Sequence, residues 1–208
     1  MVIKKPSVEM ITKLDYKNTI KTIESLEKIK SNQEMSTNNS ESEKYIKNMI
    51  KLGNLSAFEA LSLSIRITSD KETSYKIEQE SIIKNKEILR HFIQKEQRFR
   101  DEIIVINPGF EKNSMEYNVW RDSCSDSESA YIHLVDNGVN TNLAKRVLPS
   151  CLKTELVITM NIREWREFLI TNLSNNEYLQ VRKIIHMILE LFKNEYPVFF
   201  EDINEDGK

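Results

Sequence analysis

Apolar positions recur at three-residue steps from Tyr16 to Lys30, where Ile20, Ile23, Leu26 and Ile29 predict an amphipathic helix. The polar run SNQEMSTNNSESEK then reads as a loop, with Ser40 or Ser42 placed to cap a helix, YIKNMIKLG, that Gly53 ends. In NLSAFEALSLSIRIT, Leu61, Leu63, Ile65 and Ile67 alternate with Ser62, Ser64 and Arg66, the period of a half-buried strand. The helical pattern returns from Ser74 to Gln97, and DEIIVI reads as a short strand before Pro108 and Gly109. Between Asn107 and Ser129 there are turn residues and no period, so a loop is expected, with Trp120 as an anchor on the core. Ala130 to Asn137 reads as a helix closed by Gly138, and TNLAKRVLP as one capped by Thr141 and stopped by Pro149. LKTELVIT alternates as a second strand. NIREWREFLITNL and NEYLQVRKIIHMILELFKNEYP are amphipathic helices, the latter with Val181, Ile184, Ile185, Ile188, Leu189 and Phe192 on one face. Tyr196, Phe199 and Phe200 are expected to dock the C-terminus, and the tail EDINEDGK to be disordered.

Composition narrows the class. A chain of 208 residues suits one domain, residues 1–208, with 1–15 and 202–208 as flexible ends. The 30 basic and 32 acidic residues nearly balance, which argues against the one-sided basic field of a nucleic-acid binder. No window approaches eighteen uncharged apolar residues and no leader pattern opens the chain, so no membrane partner and a cytoplasmic location are expected. Cys124 and Cys151 lack metal-ligand spacing, so neither a metal site nor a disulfide framework is expected, and Cys151 reads as a small buried hydrophobe. His133 and His186 lie in helical patterns and read as structural or exposed. Glycine-rich phosphate loops, nucleophile elbows and HExxH are all missing. The Lys-, Asn- and Ile-rich composition points to an AT-biased genome, and a viral source would place the protein in host cytoplasm.

Candidate chemistry concentrates in NKEILRHFIQKEQRFR, from Asn85 to Arg100, where Arg90, His91, Glu96, Arg98 and Arg100 interleave with an apolar pattern. Permanently charged arginines beside a histidine and a carboxylate can hold a phosphate or an anionic ring. The same pattern also describes a solvated, charged helix face.

The order of these pieces resembles the flavin-dependent thymidylate synthase family. YIHLVDNGVNTNLAKRVLP looks like the family's "aYxxLvexGvpxExARxvLP", and LKTELVITMNIREWREFLITNL like "LxxYTexxxTxNxRsWxxFLxLR". EYLQVRKIIHMILELFKNEYPVFFE parallels the final helix and its "xxPxxFE" exit, LSAFEA at Leu55 to Ala60 resembles "HxSxxEH", and Arg90-His91 falls at the start of "RHRxxSxNExSxRY". The resemblance runs from about Ile23 to Glu201. It implies a helix-rich α+β fold, a single domain with a central antiparallel sheet and flanking helices, assembled as a homotetramer.

It also implies roles, residue by residue. Arg90 and His91 would be catalytic; Ser31, Ser56, Arg90, His91, Ile93, Asn161 and Arg163 would bind FAD; Glu87, Glu96, Arg100, Lys145 and Asn172 would bind the nucleotide. Departures cluster at the same places. Phe92 replaces the third signature residue, and the run to Arg100 is about two residues short. Lys145 replaces an arginine, keeping a positive charge but losing the bidentate fork. Asn172 replaces the arginine that holds the pyrimidine, Asn54 and Ala60 replace histidines, Glu167 replaces a polar flavin contact, and Tyr178, Leu179 and Gln180 replace "QWE". Glu96 and Arg100 also satisfy plain i,i+4 pairing. The implied activity is one-carbon transfer to C5 of a pyrimidine deoxynucleotide, dUMP methylation or a hydroxymethyl variant, with NADPH and methylenetetrahydrofolate as co-substrates. The altered positions support an alternative, a catalytically silent relative acting as a nucleotide- or flavin-binding or assembly subunit.

Overall fold

The computed structural model describes residues 1–12, 14–32, 34–36, 38–83, 102–175 and 178–204. In chain order the elements are β1 (Val2–Lys4), β2 (Ser7–Met10), α1 (Tyr16–Ser31), α2 (Asn39–Lys51), a 3-10 turn (Ser56–Ala60), β3 (Ser62–Asp70), α3 (Lys71–Ile83), β4 (Ile104–Ile106) and α4 (Met115–Asp136). There follow α5 (Thr141–Ala144), a 3-10 turn (Lys145–Val147), β5 (Lys153–Asn161), α6 (Ile162–Asn175), α7 (Leu179–Glu195) and α8 (Pro197–Phe200). This is the helix-rich α+β class, with a three-stranded antiparallel sheet in the order β2-β3-β5 and a parallel pair, β1-β4.

Two compact units share the chain, each built from separated segments. Unit 1 takes Met1–Ser7, Ile67–Glu80 and, of the described later residues, 102–156; unit 2 takes Val8–Arg66, residues 81–83 and 157–204.

In unit 1, Val2, Ile3 and Lys4 pair in register with Ile104, Val105 and Ile106. Ile103, Val105 and Cys124 form the core there, and Trp120 packs against it with Leu148 and Leu152. Trp120 is thus the anchor its surroundings suggested, but the segment expected to be a loop from Asn107 to Ser129 is mostly α4. Ser114 caps that helix, its hydroxyl accepting from Tyr117 N at 3.1 Å. Only Tyr117 and Cys124 are buried along α4, so no apolar stripe announces it. Its serines, which resemble turn residues in sequence, donate to carbonyls one turn back, Ser127 to Ser123 and Ser129 to Ser125.

β3 buries Leu63, Ile65 and Ile67 as the alternation predicts, the first two in unit 2, where α7 buries all six of its predicted apolar residues. Trp165 donates its indole N–H to the Leu63 carbonyl at 2.9 Å and meets Phe192 edge-on at 5.1 Å, and Phe192 stacks on Phe200 at 4.7 Å. Tyr196, Phe199 and Phe200 are buried, as expected of a docked C-terminus.

Several local expectations change. Residues expected to be flexible at the N-terminus supply β1 and β2. In the tail expected to be disordered, Ile203 is buried and Asp202 holds Arg166 through two hydrogen bonds of 2.7 and 2.6 Å. Asn38, not Ser40 or Ser42, caps α2, and Asn140, not Thr141, caps α5. On α1, Ile29 is 73 % exposed. Nine residues at about 100° each place it on the opposite face from Ile20. The buried face is completed instead by Glu24, Glu27 and Lys28.

Those charges are paired. Lys28 Nζ lies 2.6 Å from Glu24 Oε1, 2.7 Å from the Glu34 carbonyl and 4.8 Å from the Tyr45 ring centre. Ser42 donates to Glu24 Oε2 at 2.6 Å, and Ser36 donates to Oε1 through its backbone N–H at 3.1 Å and through its hydroxyl.

Candidate functional site

Unit 2 brings the ends of three elements onto the 3-10 turn at Ser56. Lys30, beside Ser31 at the end of α1, donates from Nζ to Ser56 Oγ at 2.9 Å and lies 3.4 Å from Glu27 Oε2. Asn54 donates its side-chain amide to Glu27 Oε1 at 2.6 Å. On the other side of the turn, Arg163 donates from Nη1 to Glu59 Oε1 at 2.7 Å and from Nε to Glu167 Oε1 at 3.1 Å. Ile162 N–H closes the junction on the Leu61 carbonyl at 3.1 Å.

Asn161 has a local duty. Its side-chain oxygen accepts from Glu164 N at 2.8 Å while Glu164 Oε2 accepts from Asn161 N at 3.0 Å, the reciprocal pair that starts a helix. The sequence folds this way because a strand-ending Asn three residues before a Glu satisfies two otherwise orphaned N–H groups of α6. Arg163 is thereby set on the first turn of the helix. Glu167 and then Glu59 hold its charged form more firmly than usual.

Ser31, Ser56, Asn161 and Arg163, the described members of the flavin set, therefore lie on elements that converge on one turn. The donor chemistry fits a diphosphate: an ammonium, a guanidinium and a hydroxyl, all reaching solvent. Three carboxylates, Glu27, Glu59 and Glu167, share that surface, so an anion gains these donors by displacing carboxylates from them. Sequence reasoning missed Lys30. Its signal is a cation at the end of a helix that also carries a candidate serine.

Of the nucleotide set, Asn172 and Lys145 are described, one in each unit. Asn172 is 6 % exposed and donates one amide N–H to the Phe168 carbonyl one turn back at 2.8 Å, which commits that hydrogen to its own helix. Lys145, in unit 1, opens the 3-10 turn that follows α5 and is half-buried, with Arg146 exposed beside it. Glu87, Arg90, His91, Phe92, Ile93, Glu96 and Arg100 lie outside the described residues. Among the described residues, no cluster of His, Cys, Asp or Glu could hold a metal ion, and no helix is long and apolar enough to cross a membrane.

A family model described as thymidylate synthase complementing protein matches residues 3–198. A flavin-dependent thymidylate synthase from Pyrococcus furiosus is 26% identical over 128 residues, covering 56% of this chain and 52% of its own length. One from Mycobacteroides abscessus is 24% identical over 184 residues, covering 78% and 70%. One from Thermococcus onnurineus is 29% identical over 105 residues, covering 50% and 43%. The aligned part thus spans about half the length of the archaeal relatives and 70% of the mycobacterial one.

Proposed function

Because the chain belongs to the thymidylate synthase complementing protein family, we propose that it is a flavin-dependent enzyme transferring a one-carbon unit to C5 of a pyrimidine deoxynucleotide. Conversion of dUMP to dTMP is the leading reaction, with a hydroxymethyl product as the variant. The supporting observation is that Ser56 and Arg163 are both bonded at the Ser56–Ala60 turn, to Lys30 and to Glu59, with Asn161 capping the helix that carries Arg163. FAD bound there would supply the hydride chemistry, with NADPH and methylenetetrahydrofolate as co-substrates, in a homotetramer. The chain's own contribution is binding and orientation. Ser56 and Lys30 would meet a phosphate on one side of the turn, and Arg163 would swing one of its carboxylate bonds to a phosphate on the other. Asn161 fixes where α6 begins and so where Arg163 stands. Arg90 and His91 would complete the catalytic side, and Lys145 would meet the nucleotide phosphate.

A second reading has its own observation. With one amide N–H held by the Phe168 carbonyl, Asn172 offers a pyrimidine at most one neutral donor in place of the charged fork of the arginine it replaces, which favours a silent, cofactor-binding relative. One experiment separates the two. Purified protein is examined for a flavin spectrum, titrated with dUMP, UMP and dCMP, and assayed for tritium release from C5-labelled dUMP with methylenetetrahydrofolate and NADPH. Yellow protein that releases tritium is the expected result. Colourless protein that takes up no FAD and releases none overturns the enzymatic reading.

A further inference from the structure

We propose that Cys124 and Cys151 form a reversible disulfide that staples α4 to the start of β5. They are the chain's only two cysteines and stand 27 residues apart in sequence, yet their sulfurs are 3.5 Å apart. That is thiol contact, and a bond at about 2.05 Å requires an approach of about 1.5 Å, within reach of side-chain rotation and a small shift. The two thiols differ in a useful way. Cys124 is 2 % exposed among Ile103, Val105, Trp120 and Leu148, whereas Cys151, in the turn ahead of β5, is only half-buried and is the more accessible of the two. Burial, and then the hydrogen bond with Cys151, pushes the Cys124 thiol up to about 12, so Cys124 carries little thiolate of its own.

The order of events follows, with a low-molecular-weight disulfide such as oxidised glutathione as oxidant. The Cys151 thiolate attacks one sulfur of the oxidant, the oxidant's S–S bond breaks, and one glutathione leaves and takes up a proton. The Cys124 sulfur, giving up its proton, then attacks Cys151 Sγ and expels the second glutathione as its thiol. Two protein thiols are oxidised and one small disulfide is reduced to two thiols. The closed loop contains α5 and the Lys145–Val147 turn.

The full chain is incubated with oxidised glutathione or with dithiothreitol, then analysed by intact mass, peptide mapping and thermal melting. The expected product has lost two hydrogens and yields a linked peptide joining Cys124 to Cys151. Its Tm is raised by about 5–10 °C, a shift that dithiothreitol reverses. A Cys151→Ser variant is expected to show neither the link nor the Tm shift. A stable glutathione adduct on Cys151 with Cys124 still free on unfolding, or two unchanged thiols, overturns the proposal, and both are read on the unaltered protein.

Discussion

Glu24 to Gln is the substitution whose cost the structure specifies most fully. Glu24 is fully buried on α1, and its carboxylate accepts from Lys28, Ser42 and twice from Ser36. Burial raises its pKa, but the bonds from Lys28, Ser36 and Ser42 outweigh that and bring it down to about 2, from an ordinary 4.5. A depressed carboxylate stabilises the fold above its unfolded pKa, and that contribution is lost as pH falls from about 4.5 through about 2. A shift of about 2.5 units at about 1.36 kcal/mol each amounts to about 3 kcal/mol at neutral pH. Glutamine keeps the shape but leaves the Lys28 ammonium buried beside a neutral amide, a loss in the range of about 3–5 kcal/mol for a broken buried pair. Urea unfolding of both proteins at pH 7 and pH 3 measures it. The variant should be less stable by about 3 kcal/mol at pH 7, with a Tm lower by about 6–12 °C, and the gap should shrink to about half at pH 3. A gap below about 0.5 kcal/mol at pH 7, or one equally large at both pH values, would refute the reasoning. Adding Lys28→Met should restore part of the loss, since the pair is then removed as a pair.

Arg163→Ala should lower flavin occupancy about tenfold while costing less than about 1 kcal/mol of stability, because its ion pairs are half-exposed; spectra and urea melts read the two effects separately. Asn172→Ala should cost about 1 kcal/mol and leave the dUMP affinity within about twofold, and a tenfold weaker titration would mean that the side chain reaches the nucleotide after all. Asp202→Ala removes both hydrogen bonds to the buried Arg166 guanidinium and should cost about 2 kcal/mol in urea unfolding, with Asp202→Asn recovering part; an unchanged midpoint would show that the tail is not held there.

Elements that bury one clean face were legible in advance. β3, β5 and α7 declare themselves because their apolar residues recur at the strand or helix period and those faces are the ones buried. α4 did not, since a helix with two buried residues leaves no stripe and its serines imitate turns. The α1 pattern was right in kind and wrong at its end, where the buried face is made of mutually neutralising charges that hydrophobic periodicity does not register. The family resemblance singled out Ser56, Asn161 and Arg163, but not what each already does. A sequence position says nothing of Asn172 turning back on its own helix, nor of Glu59 and Glu167 occupying Arg163. The thiol pair was illegible for the simplest reason, that 27 residues separate two side chains only the fold makes neighbours.

The interleaving of the two units bears on how the chain reaches this fold. Leu63 waits for Trp165, and the β1 segment at Val2 waits for Ile104, so each unit must close loops of about a hundred residues before its core is complete. Local helices such as α7 can form early, but the contacts that reward them come late, which slows folding relative to a chain of local contacts. Neither unit corresponds to a contiguous fragment. A protease cut or an insertion between the segments of one unit therefore interrupts the chain path of the other, so tolerance to such changes is lower here than in a protein whose units follow one another in line.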